Sequence, residues 1–218
     1  MRYYEVEPRV VYGRVVREGL TQWNEVFEGG DRFADFPNRG FLEGVVPGLP
    51  VGGAVLEYGC GTGPAACFLA GLGFRVDAVD VSPVAIALAK GFAEERGVRV
   101  NFGVQDVCRW PEVETRYDVV LDSYCLQNIV LDEDRAAVFR GVRDRLLPDG
   151  RYLISTALYD VDRVYGEELR YDAVTGICYR GELPYRRHLT PSALRAELEG
   201  AGFAVLSFSG TNLVCARA

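Results

Sequence analysis

An acidic side chain followed by alternating glycines is the part of this sequence best suited to chemistry. Residues 54–63 run from an apolar stretch through Glu57 to Gly59, Gly61 and Gly63. Glycines at this spacing let the chain turn sharply and let a ligand approach the main chain closely. Glu57 falls at the carboxyl end of a predicted strand, where open α/β sheets bind ligands. A carboxylate there repels phosphate, so the pattern favours a cationic or amine-bearing ligand.

Three further acidic positions follow predicted strands and suit the same ligand. Asp80 ends the second strand, where a carboxylate accepts both hydroxyls of a ribose. Asp106 follows the third strand, where it can accept a hydrogen bond from an adenine amino group. Asp122 ends the fourth strand, beside the expected reacting end of the ligand. Together with Glu57, these acids favour S-adenosylmethionine (SAM) over a nucleotide.

Strands alternate with helical patterns through the middle of the chain. This order predicts βα units with right-handed crossovers and a parallel, doubly wound sheet. Ser82, Asp132 and Thr190 are predicted helix N-caps, and residues 148–150 are a predicted turn. The predicted strands are residues 54–58, 75–79, 98–104, 117–122, 151–157, 203–209 and 212–216, with a hairpin around 173–176 and helices at 64–72, 82–96, 132–146 and 191–201.

Length and composition limit the class of protein. The 218 residues fit a single domain (1–218), with an N-terminal helical cover at 1–50 and a substrate-side insertion at 158–189. A net charge of −7 without a Lys/Arg-rich block disfavours a nucleic-acid partner. One histidine and no C-x-x-C pair among six cysteines disfavour a metal site.

Targeting signals are also missing from the sequence. The first residues lack the apolar core of a signal peptide, and no apolar run reaches the length of about 18 residues that a membrane span needs. We therefore expect a cytoplasmic protein with no membrane partner. The sequence assigns no oligomeric state.

These motifs resemble those of the class I SAM-dependent methyltransferases, over roughly residues 50–218. The resemblance implies a Rossmann-like α/β fold with helices on both faces of a seven-stranded sheet, in the order 3-2-1-4-5-7-6 with strand 7 antiparallel. It also implies SAM as cofactor, S-adenosylhomocysteine (SAH) as product, and methyl transfer to an O, N or S atom of a small molecule. The residues that carry the resemblance are 55–63, 80–82, 106–107, 117–122, 147–151 and 194–203.

The resemblance implies roles for individual residues as well. Glu57 orients the methionyl amine, Asp80 takes the ribose and Asp106 binds the adenine amino group. Val81 and Val107 flank the adenine ring. The expected cofactor-binding residues are Trp23, Glu57, Gly59, Cys60, Gly61, Asp80, Val81, Gln105, Asp106, Val107, Asp122 and Ser123.

The acceptor is expected near the end of the fourth strand and near two aromatic-rich segments outside the βα repeat. Expected substrate-binding residues are Tyr12, Tyr124, Gln127, Asn128 and Tyr159. Tyr124 and the single histidine, His188, are the candidate catalytic residues, and a structural place beside a helix cap is the alternative for His188. Five arginines would instead suit an acidic substrate: Arg163, Arg170, Arg180, Arg186 and Arg187.

Two other functions stay open at this point. Residues 61–66 satisfy a relaxed G-x-G-x-x-A dinucleotide pattern, so an NAD-type oxidoreductase on the same architecture is one alternative. In that case Glu57 and Asp106 have no role. A non-catalytic SAM-binding protein is the other alternative. Within the main prediction, the methyl acceptor could also be a protein instead of a small molecule.

Overall fold

A central sheet with helices on both faces organises the chain. The computed structural model describes residues 2–23, 25–28, 33–112, 114–162 and 165–218. The strands are β1 (Ala54–Tyr58), β2 (Arg75–Asp80), β3 (Val100–Val104), β4 (Tyr117–Ser123), β5 (Leu146–Ser155), β6 (Leu169–Asp172), β7 (Ile177–Arg180), β8 (Leu183–Arg187), β9 (Phe203–Ser209) and β10 (Asn212–Arg217). The α-helices are α1 (Tyr3–Glu18), α2 (Glu25–Glu28), α3 (Arg39–Val45), α4 (Pro64–Gly71), α5 (Pro83–Glu95), α6 (Asp132–Arg145) and α7 (Pro191–Gly200).

The seven-stranded sheet has the order β3-β2-β1-β4-β5-β10-β9. Strands β1 to β5 pair in parallel, whereas β10 is antiparallel to both β5 and β9. Because β9 and β10 are the sixth and seventh strands of this sheet along the chain, the predicted order 3-2-1-4-5-7-6 is confirmed. Strands β6, β7 and β8 form a separate antiparallel sheet inside the predicted insertion.

Two apolar clusters bury the faces of the central sheet. One holds Tyr58, Tyr152 and Phe203, with side chains from α6 and α7. The other holds Val55 and Phe102, with side chains from α4 and α5. Burying both faces is the arrangement that nearly continuous apolar parallel strands require. The carboxyl ends of β1 to β4 are thereby held in fixed positions relative to one another.

Local signals for helix ends were mostly reliable. The Ser82 hydroxyl accepts the Ala85 N–H at 3.2 Å, and Thr190 accepts the Ala193 N–H at 3.2 Å, which confirms both predicted N-caps. The prediction for Asp132 was wrong: it is the first residue of α6, and its carboxylate pairs with Arg187 instead. An ion pair with a long-range partner replaced the local cap.

The turn predicted at residues 148–150 was also wrong. These residues belong to β5, which begins at Leu146 opposite Tyr117. The register of the β4–β5 pair shifts between Tyr117 and Val119. Pairing with β4 therefore keeps the Pro-Asp-Gly segment in the strand. The residues of β5 that have no partner on β4 form a bulge-like irregularity in the strand instead of a turn.

Helix α1 is attached to later parts of the chain at two places. The Tyr3 hydroxyl accepts the Val130 N–H at 2.9 Å and donates to the Asp134 carboxylate at 3.0 Å. Glu7 accepts a hydrogen bond from the Tyr185 hydroxyl at 2.6 Å and pairs with Arg186, both on β8. The helix thus bridges α6 and the small sheet.

In the described part of the chain, no helix combines the length and apolarity that a membrane crossing requires.

Candidate active site

A cavity of about 640 Å³ lies where β1 to β4 end, between the central sheet and α1. Among the predicted residues that line it are eleven of the twelve expected to bind the cofactor, all except Asp122. Four of the five expected to bind substrate, Tyr12, Tyr124, Gln127 and Asn128, also line it. Residues scattered over 116 positions, from Tyr12 to Asn128, are therefore brought to one chamber.

The glycine turn after β1 allows close approaches that no other residue allows. Gly59 has φ +62° and Gly61 has φ +56°, the left-handed region that favours glycine. A Cβ at Gly59 would lie 2.3 Å from the Cys125 Sγ, and one at Gly61 would lie 2.6 Å from the Tyr12 hydroxyl. The glycine turn is therefore packed against Cys125, which follows β4, and against Tyr12 of α1, with its backbone facing the cavity.

Replacing Gly59 by alanine is expected to destabilise the protein by about 1–3 kcal/mol and to weaken SAH binding, because of backbone strain and the collision with Cys125. Chemical denaturation and calorimetry measure the two effects. The matched control is Gly44→Ala in α3, where no neighbour lies within 4 Å of the new Cβ. Equal stability of the two variants would contradict the assigned role of the turn.

Glu57 is buried at the centre of the cavity wall and lacks a partner for one oxygen. Its side chain is 1% exposed, and its Oε2 has no hydrogen bond within the described structure. Burial raises the pKa of Glu57 to about 8, against the lowering effect of hydrogen bonds from Ser123 and the Ala66 N–H. A buried carboxylate with an unused oxygen is complementary to a cationic donor.

Asp80 is held rigidly by the backbone around it. Its Oδ2 accepts the Gly61 N–H at 2.9 Å and its Oδ1 accepts the Ser82 N–H at 2.8 Å. Burial raises the pKa of Asp80, and these N–H donors oppose that rise. The carboxylate thus ties the glycine turn to the start of α5 and keeps further lone pairs for a ligand.

Asp106 has a neighbour that the sequence did not reveal. The Tyr4 hydroxyl of α1 donates to both carboxylate oxygens, at 3.1 and 3.0 Å, and the Cys108 N–H donates to Oδ1 at 3.0 Å. Burial raises the pKa of Tyr4, which keeps this hydroxyl a donor. Helix α1 therefore orients the side chain that is expected to read the adenine.

Asp122 lies beneath the cavity rather than on its surface. Its side chain is fully buried, and its Oδ1 accepts the N–H groups of Cys125 at 2.8 Å and Leu126 at 3.1 Å. Burial raises the pKa of Asp122 to about 7. The predicted contact with the cofactor is not what this geometry favours; the side chain shapes the turn that carries the acceptor-side residues.

His188 and Tyr159 lie in an aromatic stack outside the cavity lining. Tyr171 stacks on Tyr159 at 5.2 Å and on Tyr165 at 5.0 Å between ring centroids. The Tyr165 hydroxyl lies 3.1 Å from His188 Nδ1, and His188 is 6% exposed. A catalytic role for His188 and substrate contact by Tyr159 stay predictions, and this arrangement favours the structural alternative for His188. Arg163 lies outside the described residues.

Replacing His188 by alanine is expected to lower the free energy of unfolding by about 1–3 kcal/mol and to leave SAH affinity unchanged, because the stack loses a hydrogen-bonded ring. Thermal denaturation and calorimetry test this. Tyr165→Phe removes the same hydrogen bond without touching the histidine and serves as the comparison. A variant of unaltered stability that has lost turnover would restore His188 as the base.

Three buried polar residues of the cavity escaped the sequence analysis. Gln22 is 5% exposed and Thr62 is 2% exposed, and Gln22 Nε2 and Thr62 Oγ1 are buried without hydrogen-bond partners. Asn38 is 2% exposed and donates to the Ser123 hydroxyl at 3.0 Å. Each lines the cavity. Thr62 stands inside the glycine motif and could have been found, whereas nothing in the local sequence marks Gln22 or Asn38.

Comparison with known proteins agrees with this site. A family model described as "Methyltransferase domain" matches residues 55–150. A ubiquinone biosynthesis O-methyltransferase of Xanthomonas axonopodis pv. citri is 28% identical over 162 residues, 74% of this chain and 66% of that protein. A 2-heptyl-1-hydroxyquinolin-4(1H)-one methyltransferase of Mycobacteroides abscessus is 32% identical over 105 residues, 48% of this chain and 46% of that protein. The matches thus span less than two thirds of these relatives.

Solved structures share the whole architecture. The CcbJ methyltransferase from Streptomyces caelestis superposes with a TM-score of 0.74 at 20% identity, over 95% of this chain and 98% of that one. The glycopeptide N-methyltransferase MtfA, solved with SAH, gives a TM-score of 0.62 at 20% identity, over 88% and 95% of the two chains. At these identities the likeness establishes the fold.

Fold, cavity and domain match define a Rossmann-like methyltransferase. Residues 55–150 match a methyltransferase domain, and the relatives and solved structures support a class I SAM-dependent methyltransferase.

The residues present fit the cofactor of that family. Glu57 Oε2 is buried without a partner, as an ammonium-binding oxygen would be in the empty protein. The glycine turn leaves no room for a Cβ, and its backbone borders the cavity. Gln22 Nε2 supplies an unused donor suited to a carboxylate. Among the described residues, no cluster of three or more histidine, cysteine or acidic side chains is placed to hold a metal ion.

Proposed function

We propose that this protein binds SAM in the cavity and transfers its methyl group to a small-molecule acceptor. The observation that carries the proposal is the convergence of Glu57, Asp80 and Asp106 on one chamber beside the glycine turn. These three carboxylates lie at the ends of adjacent strands. Glu57 matches an ammonium, Asp80 a ribose and Asp106 an adenine amino group. The pyrophosphate of a dinucleotide is anionic, so it has no group that could pair with the buried carboxylate of Glu57.

The chain's own residues hold and orient the cofactor. The Glu57 carboxylate binds the ammonium, Gln22 donates to the carboxylate end, Asp80 accepts the ribose hydroxyls and Asp106 accepts from the adenine amino group. SAM supplies an electrophilic methyl group on a sulfonium, so the protein's task is mainly positioning and the exclusion of water.

The rest of the cavity is suited to an acceptor with apolar or planar parts. Its aromatic lining comes from Tyr3, Tyr4, Tyr12, Trp23, Phe36, Tyr124 and Tyr185. Aromatic faces bury apolar surface and attract cations. The O-methyltransferase name of relatives at 28% identity supports a small acceptor without fixing the atom. The cytoplasmic location, the single-domain organisation and the exclusion of nucleic-acid partners stay predictions from composition.

Ligand-dependent thermal stability tests the proposal directly. SAH and SAM at saturating concentration are expected to raise the melting temperature, while NAD and NADP leave it unchanged. Stabilisation by NAD alone would replace the proposal with the oxidoreductase alternative. SAH binding without turnover of any phenol, amine or thiol in an acceptor screen would favour the non-catalytic alternative.

A further inference from the structure

The short turn after β4 holds a buried hydrogen-bond acceptor that the protein leaves unused. Asn128 lines the cavity, and its Oδ1 is buried without a partner. A ligand atom that reaches this oxygen must bring a hydrogen, because an amide oxygen only accepts. Leaving the oxygen unpaired in a filled cavity would weaken binding by about tenfold or more, enough to discriminate between ligands.

The orientation of the Asn128 amide is fixed by its surroundings. Its Nδ2 donates to the Tyr124 carbonyl at 3.1 Å, so the amide cannot be turned over without opposing two oxygens. Its backbone N–H donates to the Cys125 carbonyl at 2.8 Å. Asn128 therefore presents Oδ1, and not its NH₂ group, as the unused atom.

The backbone at Tyr124 is strained in a way that serves this arrangement. Among the described residues, Tyr124 is the one non-glycine with positive φ, at 62°. Its N–H donates to the Ser155 carbonyl at 2.7 Å, which holds the turn against β5. Such strain persists where surrounding contacts over-determine it, commonly at functional sites. Here it directs the Tyr124 carbonyl toward the Asn128 amide.

The charge of the cavity narrows the ligand further. Its lining includes the carboxylates of Glu57, Asp80 and Asp106, none of which forms an ion pair within the described structure. The Arg186 guanidinium also lines the cavity, but it is paired with Glu7. All three carboxylates are assigned to the cofactor, so the described lining offers the acceptor no unpaired cation and no further unpaired carboxylate or histidine to act as a base. This disfavours an anionic acceptor and a hydroxyl that must lose its proton, and it favours a neutral amine.

We propose that the methyl acceptor is an amine whose N–H binds Asn128 Oδ1. This inference rests on the proposed function and names its substrate class. The amine reacts in its neutral form, after an ammonium has given its proton to water. Its nitrogen lone pair forms the bond to the methyl carbon, the carbon–sulfur bond breaks with its electron pair going to sulfur, and the positive charge passes from sulfur to nitrogen. The product ammonium releases a proton to water after transfer. A phenolate or carboxylate acceptor would find no unpaired cation in the described lining of the cavity.

Asn128 acts on the transition state as well as on binding. As positive charge builds on nitrogen, its N–H becomes a stronger donor, so the bond to Oδ1 tightens during transfer. Losing the amide should therefore lower kcat more than it raises KM.

The test compares matched probes in the SAH complex by calorimetry: benzylamine with benzyl alcohol and benzoate, and glucosamine with glucose. At least one amine is expected to bind at least tenfold more tightly than its hydroxyl partner, and benzoate is expected not to bind. Asn128→Ala should remove the amine preference, and Asn128→Asp, which keeps an oxygen acceptor, should retain it. Asn101→Ala, at an exposed asparagine of β3, is the matched control.

Turnover with SAM gives the second readout. Rates of SAH formation with the preferred amine are expected to fall about 100-fold in kcat in Asn128→Ala, while KM rises about tenfold with the lost binding preference. Equal binding of amine and hydroxyl probes, no amine binding at all, or an unchanged preference in Asn128→Ala would overturn the proposal. Failure of SAH itself to bind would instead overturn the proposed function, so the two are distinguished. SAH affinity equal to wild type shows that a variant is folded.

Discussion

Replacing Asp80 by alanine is expected to weaken SAH binding by about 100-fold, equivalent to about 3 kcal/mol. The carboxylate would otherwise accept two ribose hydroxyls, and each hydrogen bond to a charged group contributes about 1.5–3 kcal/mol. The substitution also frees the Gly61 N–H, which Asp80 holds at 2.9 Å, so the glycine turn loses its anchor. Calorimetric titration of the variant with SAH measures the effect.

The control for this experiment is Asp149→Ala, an exposed aspartate of β5 outside the cavity lining. It makes the same chemical change and should leave SAH affinity within twofold of wild type. Asp80→Asn is expected to lie between the two because one oxygen acceptor remains. If Asp80→Ala bound SAH as tightly as wild type, the ribose assignment would have to be abandoned.

SAH affinity is expected to rise by about tenfold per pH unit between pH 6 and pH 7.5. The pKa of Glu57 is about 8 because burial disfavours its ionised form and because the nearby carboxylates of Asp122 and Asp80 repel a further negative charge. Since an ammonium binds the carboxylate form, a proton must leave first at lower pH, which weakens apparent binding. Calorimetry across this range, in buffers of different ionisation enthalpy, also measures the proton released.

Glu57→Gln should bind SAH weakly and with a flat pH dependence over the same range. The free energy of unfolding of the ligand-free protein depends on pH in the opposite direction to SAH affinity. A carboxyl whose pKa rises from 4.5 unfolded to about 8 folded takes up a proton on folding, so its contribution to stability is lost as pH rises from about 4.5 to 8. Glu57→Gln should therefore gain stability relative to wild type at pH 8 and not at pH 4. A flat wild-type binding profile would argue against Glu57 as the ammonium partner.

Most of the central sheet could be predicted because its signals are local. Apolar strands, glycine turns and Ser or Thr caps lie within a few residues of the elements they define, and β1 begins and ends where the sequence indicated. The same holds for the glycine loop and for Glu57, Asp80 and Asp106, which follow strands at a fixed edge. The wrong cap at Asp132 shows the limit, since its partner Arg187 lies 55 residues away.

The acceptor side could be predicted only in part. Tyr124, Gln127 and Asn128 follow β4 and were found by position, whereas Gln22 and Asn38 reach the cavity through packing that no motif encodes. His188 attracted attention because it is the single histidine, yet rarity carries no geometric information. The hydrogen bond between Tyr4 and Asp106 joins residues 102 positions apart, beyond any periodicity in the chain.

The contacts of helix α1 have a consequence for the order in which the protein is made. Its partners Val130, Asp134 and Arg186 lie 127 to 179 residues later in the chain. During synthesis the helix therefore exists long before anything can hold it, and such distant contacts form late. The cofactor loop can form once the βα units up to β4 are complete, but the chamber is covered only after β8 has emerged. Nascent chains paused between these two points would carry an open cofactor cleft, with the aromatic face of α1 exposed to chaperones.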